Sequence, residues 1–133
     1  MILRGPLLRI TYLADIRFPL ERANGVQTME TCHALAGRGH HVRLVVRPDS
    51  AVPARNPWAY YGLEPVSALT IERVPVPRSP RTRRMAYVTH SLLRSIGRSR
   101  SDVILTRDLT IAALLLRLPR RWRAHSGSAG SWR

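Results

Sequence analysis

Apolar residues gather in short runs along this chain, and each run is closed by turn residues. Leu8 to Ala14 and Val42 to Val46 are near-continuously apolar. Such runs predict strands covered on both faces. Leu69 to Val74 alternates with period two and stops at Pro75, which predicts a third strand, and Asp102 to Thr106 predicts a fourth. Between the first two runs, Val26, Met29, Cys32 or His33, and Ala36 recur at helical spacing. Asn24 is placed as the N-cap of that helix, with Gln27 reaching back as in a capping box and Gly37 or Gly39 as the left-handed stop. Two more helices are predicted, over Arg83–Ile96 and Leu109–Leu118. The buried side of the first of these is expected among Ala86, Val88 or Thr89, Leu92, Leu93 and Ile96. Residues 15–24, with Pro19, are predicted to form a loop that begins where Asp15 ends the first strand. Residues 47–62, broken by Pro48, Pro53 and Pro57, are predicted irregular, with Trp58, Tyr60 and Tyr61 as anchors to the core.

The resulting order, β-α-β-loop-β-α-β-α, predicts an α/β, Rossmann-like fold: a mostly parallel sheet with helices on both faces. Residues 1–119 form the predicted domain. Residues 120–133 turn to Ser/Gly/Arg composition without periodicity and are expected to be an irregular tail.

Composition narrows the class. The chain has 133 residues, 44% hydrophobic and 23% charged, which suits one globular domain. No apolar run approaches the roughly 20 residues of a membrane span, and no signal peptide precedes Arg9, so a cytoplasmic location is expected. The one cysteine, Cys32, excludes an internal disulfide framework and a thiolate zinc site, and no spacing of metal ligands occurs. The formal net charge is +14. Every basic residue is arginine, which fits coding bias as well as it fits an anionic partner. The charge is uneven: residues 1–75 hold 9 arginines against 6 acids, residues 76–133 hold 13 against 2. Arg78, Arg81, Arg83 and Arg84 cluster before a helix and could face an acidic membrane surface or only solvent.

Candidate chemistry concentrates where strands end, since open α/β sheets bind ligands at the carboxyl ends of their strands. Asp15 and Arg17 follow the first strand, Arg47 the second, and Arg107 and Asp108 the fourth. Three such arginine-bearing tips would make a basic rim suited to phosphate or carboxylate. Asp108 reads equally well as the N-cap of the last helix. The turn Asn24-Gly25-Val26-Gln27 opens the first helix, whose N-terminus offers free N–H donors to an anion. Gly25 either admits a phosphate or is simply a small residue at a helix start. One glycine after a long loop is neither the dinucleotide fingerprint nor a P-loop. His33 is expected half-buried, His40 and His41 exposed, and Ser91 lacks a local base. No catalytic residue is identified.

The stretch Tyr12-Leu-Ala-Asp-Ile-Arg-Phe-Pro19 through Asn24-Gly-Val-Gln-Thr28, followed by His33-Ala-Leu-Ala-Gly-Arg-Gly-His40, the strand at Val42 and the strand Asp102–Thr106, resembles the N-terminal domain of family 4 glycosyltransferases. The resemblance covers about residues 8–119. It implies a GT-B type enzyme in which two Rossmann-like domains face a cleft, the N-terminal one mainly binding acceptor. The C-terminal one binds the nucleotide sugar and carries an acidic E-x7-E signature. It also implies that the glycine loop, here Gly25 and its neighbours, approaches the donor phosphates, and that transfer needs neither metal nor other cofactor. The family's fifth strand and its histidine would begin near Trp122, where only His125 stands. The expectation is therefore an incomplete domain, cut short or completed by a separate donor-binding subunit, inactive alone, with peripheral contact at the inner membrane face. The competing expectation is a basic module that binds anions without catalysis, an acidic membrane surface being favoured over nucleic acid.

Overall fold

The computed structural model describes residues 6–94 and 101–117. Four strands form one sheet: β1 (Arg9–Arg17), β2 (His41–Arg47), β3 (Leu69–Arg73) and β4 (Val103–Thr106). Their order is β3-β2-β1-β4 and every pairing is parallel. The fold is thus α/β and Rossmann-like, as the alternation predicts. The helices are α1 (Ala23–Gly37), α2 (Pro57–Tyr61), α3 (Pro80–Arg94) and α4 (Leu109–Arg117).

Alternate residues of the same strands face opposite layers. On one face Ile10, Tyr12, Ala14 and Ile16 of β1 join Val42, Leu44 and Val46 of β2 and pack on Met29, Cys32 and Ala36 of α1. On the other, Leu13 and Val45 pack on Tyr87 of α3 and on Ile111 and Leu115 of α4. Tyr87 is fully buried, and its hydroxyl donates to the Val45 carbonyl at 2.6 Å, which satisfies the one polar atom it carries inward. Its phenol is pushed above its usual range, chiefly by burial.

Several expected boundaries move. β1 does not end at Asp15 but continues to Arg17, with a register shift between Leu13 and Arg17 where it pairs with β2. The buried stripe of α1 is Gly25, Thr28, Met29, Cys32 and Ala36; Val26, expected on it, is 39% exposed. The stripe of α3 centres on Tyr87 and Ser91; Ala86, Val88 and Leu92 are half-buried, Thr89 and Leu93 are exposed, and Ile96 lies outside the described residues. Residues 47–62 contain a helix that the prolines concealed. Pro57 opens α2, Asn56 Oδ1 accepts from Trp58 N at 2.9 Å, and Gly62, at φ +66°, ends it. Proline at the first helical position and a left-handed glycine just after the last are ordinary helix punctuation. Of the expected anchors, Trp58 and Tyr61 pack on the core, while Tyr60 is exposed beneath the Arg55 guanidinium. His33 is half-buried beside Trp58, as expected; His40 is also half-buried and accepts from Leu8 N, while His41 is exposed. Cys32 is free and buried, its thiol pushed up to about 12 by desolvation, so it is an inert core residue.

Candidate functional site

Because all four strands are parallel, their carboxyl ends share one edge of the molecule. The order β2-β1-β4 makes three of these tips neighbours. It also puts the reversal of strand order, the usual ligand crevice of open α/β sheets, between β1 and β4.

Asp15 stands at the centre of this edge. One of its oxygens lies 2.8 Å from Nε of Arg47, a close ion pair without a well-directed hydrogen bond. The other accepts from Arg84 of α3 at 2.5 Å. Arg84 also forks onto Asp108, with Nη2 donating to Oδ1 at 2.7 Å and Nη1 to Oδ2. Asp108 in turn accepts from Thr110 N at 3.0 Å and Ile111 N at 3.3 Å, so it caps α4 and holds Arg84 at once. Its carboxyl is held below the ordinary range, chiefly by the hydrogen bond from Arg84, and the Arg84 guanidinium is correspondingly raised, chiefly by Asp108. Burial lowers the Arg47 guanidinium against the opposing pull of Asp15. Asp15, Arg47, Arg84 and Asp108 thus tie β1, β2, α3 and the β4–α4 junction into one charged frame.

The expected basic rim forms, but much of its charge is neutralised internally. Arg17 donates to Glu21 at 3.0 Å and to Ser50 at 3.1 Å. Arg107 donates to Gln27 Oε1 at 2.6 Å, which joins the β4 tip to α1. Gln27 therefore does not close a capping box. Nor is Asn24 the N-cap: α1 begins at Ala23, the cap position is Arg22, and no side chain caps it. The extended conformation of Arg22 starts the helix two residues earlier than expected and relieves the Asn24 side chain of the capping role.

Gly25 is required for a reason other than a phosphate. A Cβ there would lie 2.8 Å from Leu20 Cβ and from Tyr61 Oη, and closer still to the Leu20 carbonyl oxygen. Tyr61 Oη donates to that carbonyl and accepts from Leu20 N, both at 2.7 Å. The glycine thus lets α1 pack against the loop after β1. The sequence admitted both readings of Gly25; packing decides its Cα side, while its backbone N–H still belongs to the first turn of α1.

Two hollows open on either side of Asn24. The larger, about 380 Å³, is lined by Ile16, Arg17, Leu20, Arg22, Asn24 and Arg47. The smaller, about 150 Å³, lies at the strand-order reversal. Asp15, Asn24, Thr28, Arg107 and Asp108 line it with residues 12–14 and 16 of β1. Val26 lines neither. Sequence reasoning missed Arg84 and Arg22 as parts of this edge. Arg84 shares the inward stripe of α3 with Tyr87, Val88 and Ser91, at i, i+3, i+4 and i+7, and that spacing could have marked it. No cluster of three or more His, Cys, Asp or Glu able to hold a metal occurs among the described residues, and no helix there is long and apolar enough to cross a membrane.

A family model described as a glycosyl transferase 4-like domain matches residues 24–126. No curated protein and no solved structure matches the chain significantly.

Proposed function

We propose that this chain, which belongs to the glycosyl transferase 4-like family, serves as the acceptor-facing half of an enzyme that transfers a sugar from a nucleotide sugar. The observation that carries this reading is the strand-tip edge itself. A frame of four paired charges holds β1, β2, α3 and α4 rigid around two hollows, and a helix N-terminus looks onto both. Rigid scaffolding around a concave polar site is what positioning two substrates requires.

In this reading the backbone N–H groups at Asn24 and Gly25, the Gln27 side chain and Arg107 face the donor's phosphates, while the Val26 N–H is taken by the Arg22 carbonyl at 3.2 Å. A helix N-terminus and an arginine both favour the negative charge that builds on the leaving nucleotide. Asp15 and Asp108 hold Arg47 and Arg84 in place, and Arg17 and Arg47 face the acceptor. No group is assigned as catalytic base. The nucleotide sugar is a co-substrate and no metal enters the scheme. The reading includes a donor-binding domain outside residues 1–133, so these residues by themselves turn over no sugar. The test adds a separately expressed donor-binding domain to the purified chain and follows labelled sugar. Transfer only in the mixture is expected; turnover by the chain alone, or none in any mixture while both parts are folded, would sink the reading.

A second reading, an anion-binding module on an acidic membrane, draws on exposed Arg78 and Arg81 beside Met85, which is 69% exposed. It loses Arg84, which is committed to Asp15 and Asp108. Salt-sensitive binding to anionic vesicles that disappears in the Arg78→Gln, Arg81→Gln double variant would favour it.

A further inference from the structure

The two hollows beside Asn24 differ in charge. The smaller has two carboxylates, Asp15 and Asp108, in its wall. The larger has three guanidinium groups, from Arg17, Arg22 and Arg47, and no carboxylate among the residues that line it. The acids that balance two of these arginines are not among the lining residues: Glu21 holds Arg17 and Asp15 holds Arg47. Arg22 is exposed and forms no ion pair among the described residues. Ile16 and Leu20 supply the apolar part of the lining, and Asn24 an amide shared by the two hollows. A volume of about 380 Å³ falls in the range of small-molecule sites.

We propose that the larger hollow takes the phosphate group of a phosphorylated, hydroxyl-bearing acceptor. Pre-aimed arginines recognise phosphate as a fork recognises paired oxygens. Arg17 and Arg47 are already oriented by their carboxylates, so little rotamer freedom is lost when an anion arrives. Arg22 has its guanidinium outside every ion pair among the described residues. The apolar lining suits the carbon skeleton of a sugar or polyol, and Asn24 its hydroxyl groups. This inference rests on the acceptor-facing reading above.

Titration calorimetry on the full chain at low salt tests it with glucose 6-phosphate, inorganic phosphate, glucose and phosphatidylglycerol vesicles, on wild type, Arg22→Gln and a remote control, Arg117→Gln. Arg22 is exposed, so its variant keeps the fold. The expected result is glucose 6-phosphate binding that weakens about tenfold or more in Arg22→Gln, a loss of one charge-assisted contact, with Arg117→Gln unchanged. Vesicle binding lost in Arg22→Gln without soluble phosphate binding would place the phosphate on a lipid headgroup. Equal losses in both variants, or no binding of any phosphate, would overturn the proposal. The acceptor reading fails separately. Arg22-dependent binding of inorganic phosphate as tight as that of glucose 6-phosphate would keep the anion hollow and remove the acceptor. Binding of glucose indifferent to Arg22→Gln would keep the acceptor and remove the anion hollow.

Discussion

The two faces of the sheet are made from alternate residues of the same strands, yet they are built to different ends. Along the face under α1, β1 and β2 present Ile10 with Val42 and Tyr12 with Leu44, and past the register shift Ala14, Ile16 and Val46, all buried. Along the face under α3 and α4 the same strands present Arg9 with His41, Thr11 with Arg43 and Leu13 with Val45, and past the register shift Asp15 meets Arg47 through their ion pair. Only the Leu13–Val45 pair there is apolar on both strands. The first face is a hydrophobic core from end to end. The second narrows to a small apolar waist, with hydroxyl and guanidinium groups at one end and the charged frame at the other. Stability is therefore concentrated on one face, and the other is left able to place charges at the strand tips.

The contrast can be broken in order of cost. Leu44→Ala removes a fully buried side chain from the middle of the apolar face and should lower unfolding free energy by about 3 kcal/mol. Chemical denaturation that shows a loss under about 1 kcal/mol would mean that this face is not the main core. Asp15→Ala should cost less, about 2 kcal/mol, because it leaves two partly exposed arginines without their shared carboxylate. It should also loosen α3 from β1, visible as faster amide exchange at the start of α3. Unchanged exchange there would show that the frame does not hold the helix.

The smallest effect is acid sensitivity. Asp108 has its carboxyl depressed in the folded state, so its charge stabilises the fold above the unfolded value of about 3.9. That stability is lost as pH falls from there through the lower, folded value. Asp108→Asn keeps a good helix cap but loses the charge. It should start slightly less stable at pH 7 and lose less on acidification than wild type does. Parallel acid limbs for the two proteins would refute a charge role for Asp108.

Much of this architecture could be read from the chain. Each strand was placed within a few residues, because apolar runs of five to seven residues bounded by glycine or proline have few other solutions. The helix at Pro57 was hidden because proline was read as a breaker when, at the first helical position, it is a starter. That the strand-tip residues Asp15, Arg17, Arg47, Arg107 and Asp108 gather at one edge is legible in the sequence, since any parallel sheet gathers its tips. Their partners are not. Arg84 lies 69 residues from Asp15 in sequence, and nothing local says which way a helix from the far side of the sheet will turn its arginine.

The chain by itself determined the fold class, the direction of every strand and the edge where polar chemistry collects. These follow from periodicity and from short connections, both local properties. Tertiary structure alone decided what those residues do to one another: that Gly25 serves the contact with Leu20 and Tyr61, that Gln27 receives Arg107, that Asp15 and Asp108 share Arg84, and that Arg22 lines the larger hollow with no ion pair among the described residues. Ion pairing and close packing depend on distances between residues far apart in sequence, and those distances exist only once the sheet has assembled.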